Sequence, residues 1–291
     1  MKGFIIINPF LVPQESVYQA ERLKSEFENK GVSVEIISDA FLRAELECKL
    51  RSDLSSADFI IYLDKDKYQS QILTKLSVRL FNSHEAIRLC DDKAETYIAL
   101  SNVGINLPKT IFGALCYNKD LSIKEEWADK IIDSLGLPVI VKESFGSMGK
   151  GVYKADDKES LLSIMEKVKL KPHLFQQYIS KKVGVDVRVI VIGGKAVCAM
   201  ERVNESDFRS NVARGGSGVK VELCPEFKSV AEKCAQVLNL DYCGVDLLYG
   251  ENNEPIVCEV NSNAFIGGIE SATGFNVAKA YCEYILNELS K

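Results

Sequence analysis

Apolar runs at the start of the chain are short and nearly unbroken. Gly3-Phe4-Ile5-Ile6-Ile7-Asn8 reads as a strand covered on both faces, and Val32 to Ile37 and Asp58 to Leu63 repeat that pattern. Between the first two, Ser16 to Lys30 places apolar residues at helical spacing and stops at Gly31. This β-α-β order predicts a parallel sheet within residues 1–90, closed by a short helix from the N-cap signal Asn82-Ser83 to Leu89. The unit has no G-x-G-x-x-G turn, so dinucleotide binding does not follow from it.

Beyond Lys93 the pattern changes. A helix is expected from Lys93 to Asn102, and Ser122-x-x-Glu125 has capping-box form ahead of a second helix reaching Ser134. Gly136-Leu137-Pro138 turns into the strand Val139 to Lys142, followed by a glycine-rich loop at 144–151, a strand, a helix from Lys158 to Val168 and the strand Leu174 to Ile179. From Asp186 onward hairpins take over. Asp186 to Ile192 returns through Gly193-Gly194 into Lys195 to Val203, and Cys243 to Tyr249 returns into Pro255 to Asn261. Helices are expected between the hairpins, Phe227 to Leu238, and at the end, Ala278 to Leu289. The fold class is α/β followed by α+β, with expected divisions at 1–90, 91–180 and 181–291.

Composition narrows the function. A 291-residue chain with 46% apolar residues can bury substantial cores. A net charge of -5 argues against a broad nucleic-acid surface, which needs dense basic charge. Nine cysteines without any C-x-x-C pair read as buried free thiols of a reducing cytoplasm. No apolar stretch approaches the length of a membrane span or signal segment. The two histidines, His84 and His173, lack partners in phase and read as structural.

The chemistry concentrates in the last hairpin. If Tyr249 faces Ile256 across the turn, Asp246 falls opposite Glu259, and Asn261 shares their face. Opposed carboxylates repel unless a cation stands between them, and hard oxygens with no His or Cys nearby favour magnesium. Upstream, the loop at 144–151 carries three glycines, two serines and Lys150, a composition suited to cradling phosphate. Arg188, Arg202, Arg209 and Arg214 crowd a third stretch. A regular ladder through Gly193-Gly194 sets Asp186 opposite Glu201 and turns Arg202 to the other face, so Arg202 joins the site only if the strand bulges or ends there. Taken singly, each feature also has a plain reading: a strand-end aspartate in solvent, a flexible loop, a salt-bridged surface.

Taken together, Asp186-x-Arg188, Glu201-Arg202, Asp207-Phe208-Arg209-Ser210-Asn211, Arg214-Gly215-Gly216, Gly244-Val245-Asp246 and Glu259-Val260-Asn261 resemble the ATP-grasp superfamily, and within it the RimK-like amino-acid ligases. The resemblance runs from about Lys93 to the C-terminus. It implies an ATP-grasp fold: a pre-ATP-grasp domain at 1–90, an N-lobe with a glycine-rich lid at 91–180, and a C-lobe with the metal and substrate site at 181–291. It implies that Lys93 and Lys142 hold the phosphates of ATP, that the lid closes through Ser144, Gly146, Ser147, Gly149 and Gly151, and that Gln177, Tyr178 and Ile179 meet the adenine. Asp186, Arg209, Ser210 and Asn211 complete that site. Asp246, Glu259 and Asn261 are implied as ligands of two magnesium ions, with manganese as a substitute, and Arg202, Arg188 and Arg214 as catalytic. The implied activity is ATP-dependent joining of a carboxylate to an amine through an acyl phosphate, with glutamate or another amino acid added to a peptide, protein or carrier. The alternatives are a small-molecule ligase and a nucleotide-binding regulator. A homo-oligomer is expected. Two departures stand out: Gln177 where the family often has Glu, and Asn261-Ser262-Asn263-Ala264-Phe265 where Asn-x-Ser-Pro-Gly is common.

Overall fold

Three sheets organise the chain, and the computed structural model describes residues 1–10, 13–42, 53–210 and 216–291. The first sheet comes from β1 (Lys2–Ile7), α1 (Pro13–Glu28), β2 (Ser33–Ser38), β3 (Phe59–Leu63), α2 (Lys67–Leu73) and β4 (Arg79–Phe81). Its order is β2-β1-β3-β4 and every pair is parallel, as continuous apolar strands joined by helices require. Two short helices, α3 (His84–Asp91) and α4 (Lys93–Leu100), lead out of it. Ser83 caps α3 by accepting from the Ala86 amide, as its sequence signal suggests.

The second sheet, β5-β8-β6-β7, is antiparallel and comes from β5 (Thr110–Phe112), α5 (Glu125–Leu135), β6 (Val139–Glu143), β7 (Val152–Ala155), α6 (Lys158–Val168) and β8 (His173–Gln177). The capping box expected at Ser122 is absent. Lys124 occupies the N-cap of α5 with no side-chain cap, and the Ile123 amide donates instead to Glu166 Oε1 on α6. The reciprocal box sits on α6, between Asp157 and Ser160.

The third sheet is β11-β10-β9-β12-β13, from β9 (Val185–Ile192), β10 (Lys195–Val203), β11 (Ser217–Lys220), α7 (Pro225–Val237), β12 (Tyr242–Tyr249) and β13 (Pro255–Asn261), with α8 (Gly267–Thr273) and α9 (Val277–Leu289) closing the chain. Two bulges set its registers. Between Ala196 and Cys198 the β9–β10 ladder slips by one residue, so Asp186 pairs with Arg202 and not with Glu201. In the last hairpin Tyr249 faces Pro255 rather than Ile256, and a bulge after Asp246 restores the expected pairing of Asp246 with Glu259.

One core joins the first and third sheets. Ile5, Phe27 and Phe59 pack in a single cluster with Ile190, Tyr242 and Ile285, so the N-terminal sheet is seated on the back of the third sheet through α1 and α9. Asn82 fastens that junction with four buried hydrogen bonds. It donates to the carbonyls of Tyr242 and Ser262 and accepts from the amides of Asp241 and Tyr242.

Candidate active site

Between the second and third sheets lies a cleft whose walls carry most of the polar residues singled out above. Lys93 enters from the start of α4, Lys142 from β6, and Gly146 and Gly149 from the loop after it. Gln177 ends β8, Tyr178 and Ile179 follow it, and Arg209 and Ser210 follow β10. The floor is Asp186, Arg202, Asp246 and Glu259, on strands β9, β10, β12 and β13.

The floor holds a chain of buried charges. Asp246 takes two bonds from Arg188, Nε to Oδ1 and Nη2 to Oδ2, each 2.7 Å, and a third from Arg202 Nη2 at 2.9 Å. Arg202, 2% exposed, also forks onto Asp186, which accepts from the Ser210 hydroxyl as well. Burial opposes the charge on Asp246, yet Arg188 and then Arg202 hold its carboxyl below the ordinary aspartate range. For Asp186 burial wins over Arg202 and raises the value. Glu259 is held low by Lys93 and Lys65 against the same burial, and Lys93 Nζ lies 3.3 Å from its Oε1. Arginine and lysine thus place positive charge beside both opposed carboxylates.

The acidic face fits a hard divalent ion. Asp246 Oδ1 accepts one bond and keeps a lone pair, Glu259 stands opposite, and the Asn261 amide nitrogen lies 3.4 Å from Asp246 Oδ2. Among the described residues no group of three His, Cys, Asp or Glu that could hold a metal ion occurs, and the oxygens gathered on this face belong to two carboxylates and an amide. Gly244 explains its own place in the pattern: a Cβ there would stand 2.6 Å from the Ala264 methyl.

Lys142 is held from behind. Its Nζ donates to the Tyr97 hydroxyl and to the Cys258 carbonyl, each at 3.3 Å, and lies 5.6 Å from the centre of the Tyr97 ring. The Tyr97 hydroxyl itself donates to Cys258 O at 2.6 Å. Lys93 Nζ reaches the Gly146 carbonyl at 2.7 Å, and Arg209 Nη1 bonds the carbonyls of Gly149 and Val152, so the glycine-rich loop is bound from two sides.

Not every expected residue lines this cleft. Ser144 is fully buried behind the loop, with its carbonyl on the Lys93 amide and its hydroxyl unpartnered. Gly151, at φ +72°, leaves room for the Glu143 side chain and supports the loop from below. Ser147, Arg188 and Asn261 border a neighbouring cavity that shares Arg202 and Glu259 with the cleft. Asn211 and Arg214 lie outside the described residues. The sequence gives no sign of the part Tyr97 plays, because nothing in a helical segment marks a contact with a lysine 45 positions away. His84 pairs with the Ser70 hydroxyl and His173 with the Lys171 carbonyl, both structural. All eight described cysteines are free, and no helix among the described residues is long and apolar enough to cross a membrane.

The profile of the RimK-like ATP-grasp domain matches residues 90–285. A probable alpha-L-glutamate ligase of Saccharophagus degradans is 34% identical over 291 residues, covering 93% of this chain and 92% of that protein. Another, from Maridesulfovibrio salexigens, is 36% identical over 214 residues, covering 72% and 68%. In fold, the RimK domain ATP-grasp protein of Sphaerobacter thermophilus superposes with a TM-score of 0.73 at 17% identity, covering 98% of this chain and all of that one. The chain is an ATP-grasp ligase and belongs to the RimK-like family.

Proposed function

We infer that the protein joins an amino acid to a carboxylate-bearing acceptor, with ATP as the energy source and two magnesium ions as cofactors. Glutamate is the amino acid that the names of its relatives point to, and a peptide, protein or carrier is the acceptor. The observation that carries this reading is the facing pair Asp246 and Glu259, with Asn261 beside them and Lys93 and Lys142 in the same cleft. In this reading residues 1–90, 91–180 and 181–291 act as the pre-ATP-grasp domain, lid-bearing lobe and catalytic lobe. A cytoplasmic setting, which the free cysteines fit, and a homo-oligomeric state without a nucleic-acid partner belong to the same proposal.

The chemistry follows from what a carboxylate lacks. Hydroxide is a poor leaving group, so the acceptor carboxylate oxygen attacks the γ-phosphorus of ATP; the bond to the bridging oxygen breaks and an acyl phosphate forms. The amine nitrogen then attacks the acyl carbon, the carbon–oxygen bond to phosphate breaks, and the nitrogen loses its proton. Lys93 and Lys142 bind the phosphates, and Gly146, Ser147 and Gly149 close over them and exclude water. Gln177, Tyr178 and Ile179 receive the adenine, with Arg209, Ser210 and Asn211 completing that side. Arg202 has committed Nε and Nη2 to two aspartates, which leaves Nη1 for developing oxyanion charge; Arg188 is placed alike, and Arg214 is assigned with them. Magnesium held by Asp246, Glu259 and Asn261 would neutralise the phosphate oxygens during transfer.

The test is stoichiometric. Purified protein with ATP, magnesium, pooled amino acids and candidate acceptors should release ADP and phosphate only when carboxylate and amine are both present, with an amide product of matching mass. ADP release that never yields an amide removes the ligase reading.

A further inference from the structure

The second sheet ends in an edge unlike the others. β5 is its outermost strand and reads Thr110-Ile111-Phe112, without a charged residue. An open edge invites pairing with another chain, and folded proteins blunt such edges with charge, proline or a covering segment. Among the described residues every other sheet edge is treated in this way. β2 carries Glu35, β4 Arg79, β7 Lys154 and β11 Lys220, and the Val257 amide of β13 donates to the Asn106 carbonyl. Lys109, just before β5, is turned back onto the Ser134 carbonyl of α5.

Hydrogen bonding along β5 fixes which of its groups are open. The Gln177 amide donates to Lys109 O and the Gly113 amide to His173 O, so the odd-numbered positions bond to β8. Thr110 and Phe112 therefore turn their N–H and C=O groups outward. Alongside lies a groove of about 530 Å³ floored by Ile111, Ile131 and Phe175. Phe112, Leu115, Tyr117, Leu121 and Trp127 rim it, with Tyr117 91% and Leu121 61% exposed. These five side chains leave on the order of 500 Å² of apolar surface in water. That is near the upper end of the roughly 300–600 Å² found for the largest patch on a monomer, and more than half of the about 800 Å² each partner buries in a standard interface. Hollow and protruding side chains stand next to each other on one face, a combination that is self-complementary about a two-fold axis.

We propose that β5 and its groove form the contact with a second copy of this chain. An antiparallel pair centred on Ile111 sets Thr110 of one copy against Phe112 of the other, and each such pair exchanges both backbone bonds. The two four-stranded sheets then run on as one of eight strands, with Tyr117 and Leu121 of each copy covering the groove of the other. The glycine-rich loops join β6 to β7 at the far side of each sheet, so both lids stay free to open. The inference rests on the homo-oligomeric reading above and deepens it by naming the face.

Trp127 is the only tryptophan of the chain, so its emission reports on this groove alone. In analytical ultracentrifugation wild-type protein should sediment as a multiple of two 32.3 kDa chains, and Trp127 emission should move to longer wavelength on dilution. Phe112→Lys and Leu121→Glu each put a charge into the contact and should weaken association about thirtyfold, the size of a hot-spot loss, whereas Val219→Lys on the β11 edge should not change it. ATP affinity within about twofold of wild type checks that each variant is folded; should Phe112→Lys fail that check, Leu121→Glu, at an exposed side chain, carries the test. A monomeric wild-type protein overturns this proposal and the homo-oligomeric reading together. An assembly that both variants leave intact keeps that reading and removes this face alone. A Trp127 shift that appears only with added acceptor, at unchanged mass, removes it too and makes the groove a docking site for the acceptor.

Discussion

Removing one oxygen atom, by Tyr97→Phe, tests how the cleft holds Lys142. The hydroxyl donates to the Cys258 carbonyl at 2.6 Å and accepts from Lys142 Nζ at 3.3 Å, while the ring lies under the ammonium. Phenylalanine keeps the ring and its packing, since Tyr97 is 4% exposed and the change leaves a space no larger than the lost oxygen. What disappears is one neutral bond, worth about 1 kcal/mol, and one to a charged donor, worth about 1.5–3 kcal/mol. The Cys258 carbonyl still accepts from Lys142, so the net loss of stability should be about 2 kcal/mol. The effect on ligand binding has a separate origin. Lys142 has three N–H bonds, and two are directed backward by Tyr97 and Cys258, which aims the third at the cleft. Without the hydroxyl the ammonium gains rotational freedom that ATP must remove, about 1 kcal/mol, or roughly a fivefold weaker Kd. Calorimetric titration with ATP and urea unfolding separate the two effects. A variant that loses stability but binds ATP with unchanged affinity would refute the claim that Tyr97 orients Lys142, and would reduce Tyr97 to a packing residue.

Two further changes probe the buried charges. Asp246→Asn leaves Arg188 and Arg202 facing a neutral group, so it should abolish amide formation and lower stability by about 3–5 kcal/mol, read by product mass spectrometry and urea unfolding; turnover within tenfold of wild type would contradict its assignment. The opposite sign holds at Asp39 in the N-terminal region, where burial and then Asp64 push the carboxyl up to about 6. A raised acid favours the folded state while protonated, so its stabilisation is present below the ordinary value near 4. It is lost as pH rises through about 6. Asp39→Asn mimics the protonated form, and its urea midpoint should exceed wild type at pH 8 and converge with it at pH 4; a constant offset at both would discount the shift.

The parts of the site that strands present in alternation are legible in the amino-acid sequence. Asp246 opposite Glu259 follows from two polar residues in otherwise apolar strands. That pairing survives although the turn is one residue out, because the bulge after Asp246 compensates. Arg202 is different. The stretch Ala196-Val197-Cys198-Ala199-Met200 is apolar throughout, so it has no polar alternation to reveal where one residue is extra, and the slip that puts Arg202 in the place opposite Asp186 expected for Glu201 is legible only as a condition. Side-chain bonds to distant backbone leave no periodic trace at all: Asn82 to Tyr242 and Ser262 spans 160 and 180 positions.

That bulge does more than change a register. With Asp186, Arg202, Asp246 and Arg188 on one face, both aspartates of the floor are opposed by a guanidinium. A buried aspartate left alone would hold its proton and offer a metal a neutral oxygen. Held low by Arg188 and Arg202, Asp246 instead offers a charged one at neutral pH, with a lone pair still open. In the proposed mechanism the same guanidiniums stand beside the position where phosphoryl charge develops. One extra residue in β10 thus links the ionisation of the acidic face to the stabilisation of transferring charge, and shifting it by deletion would separate the two.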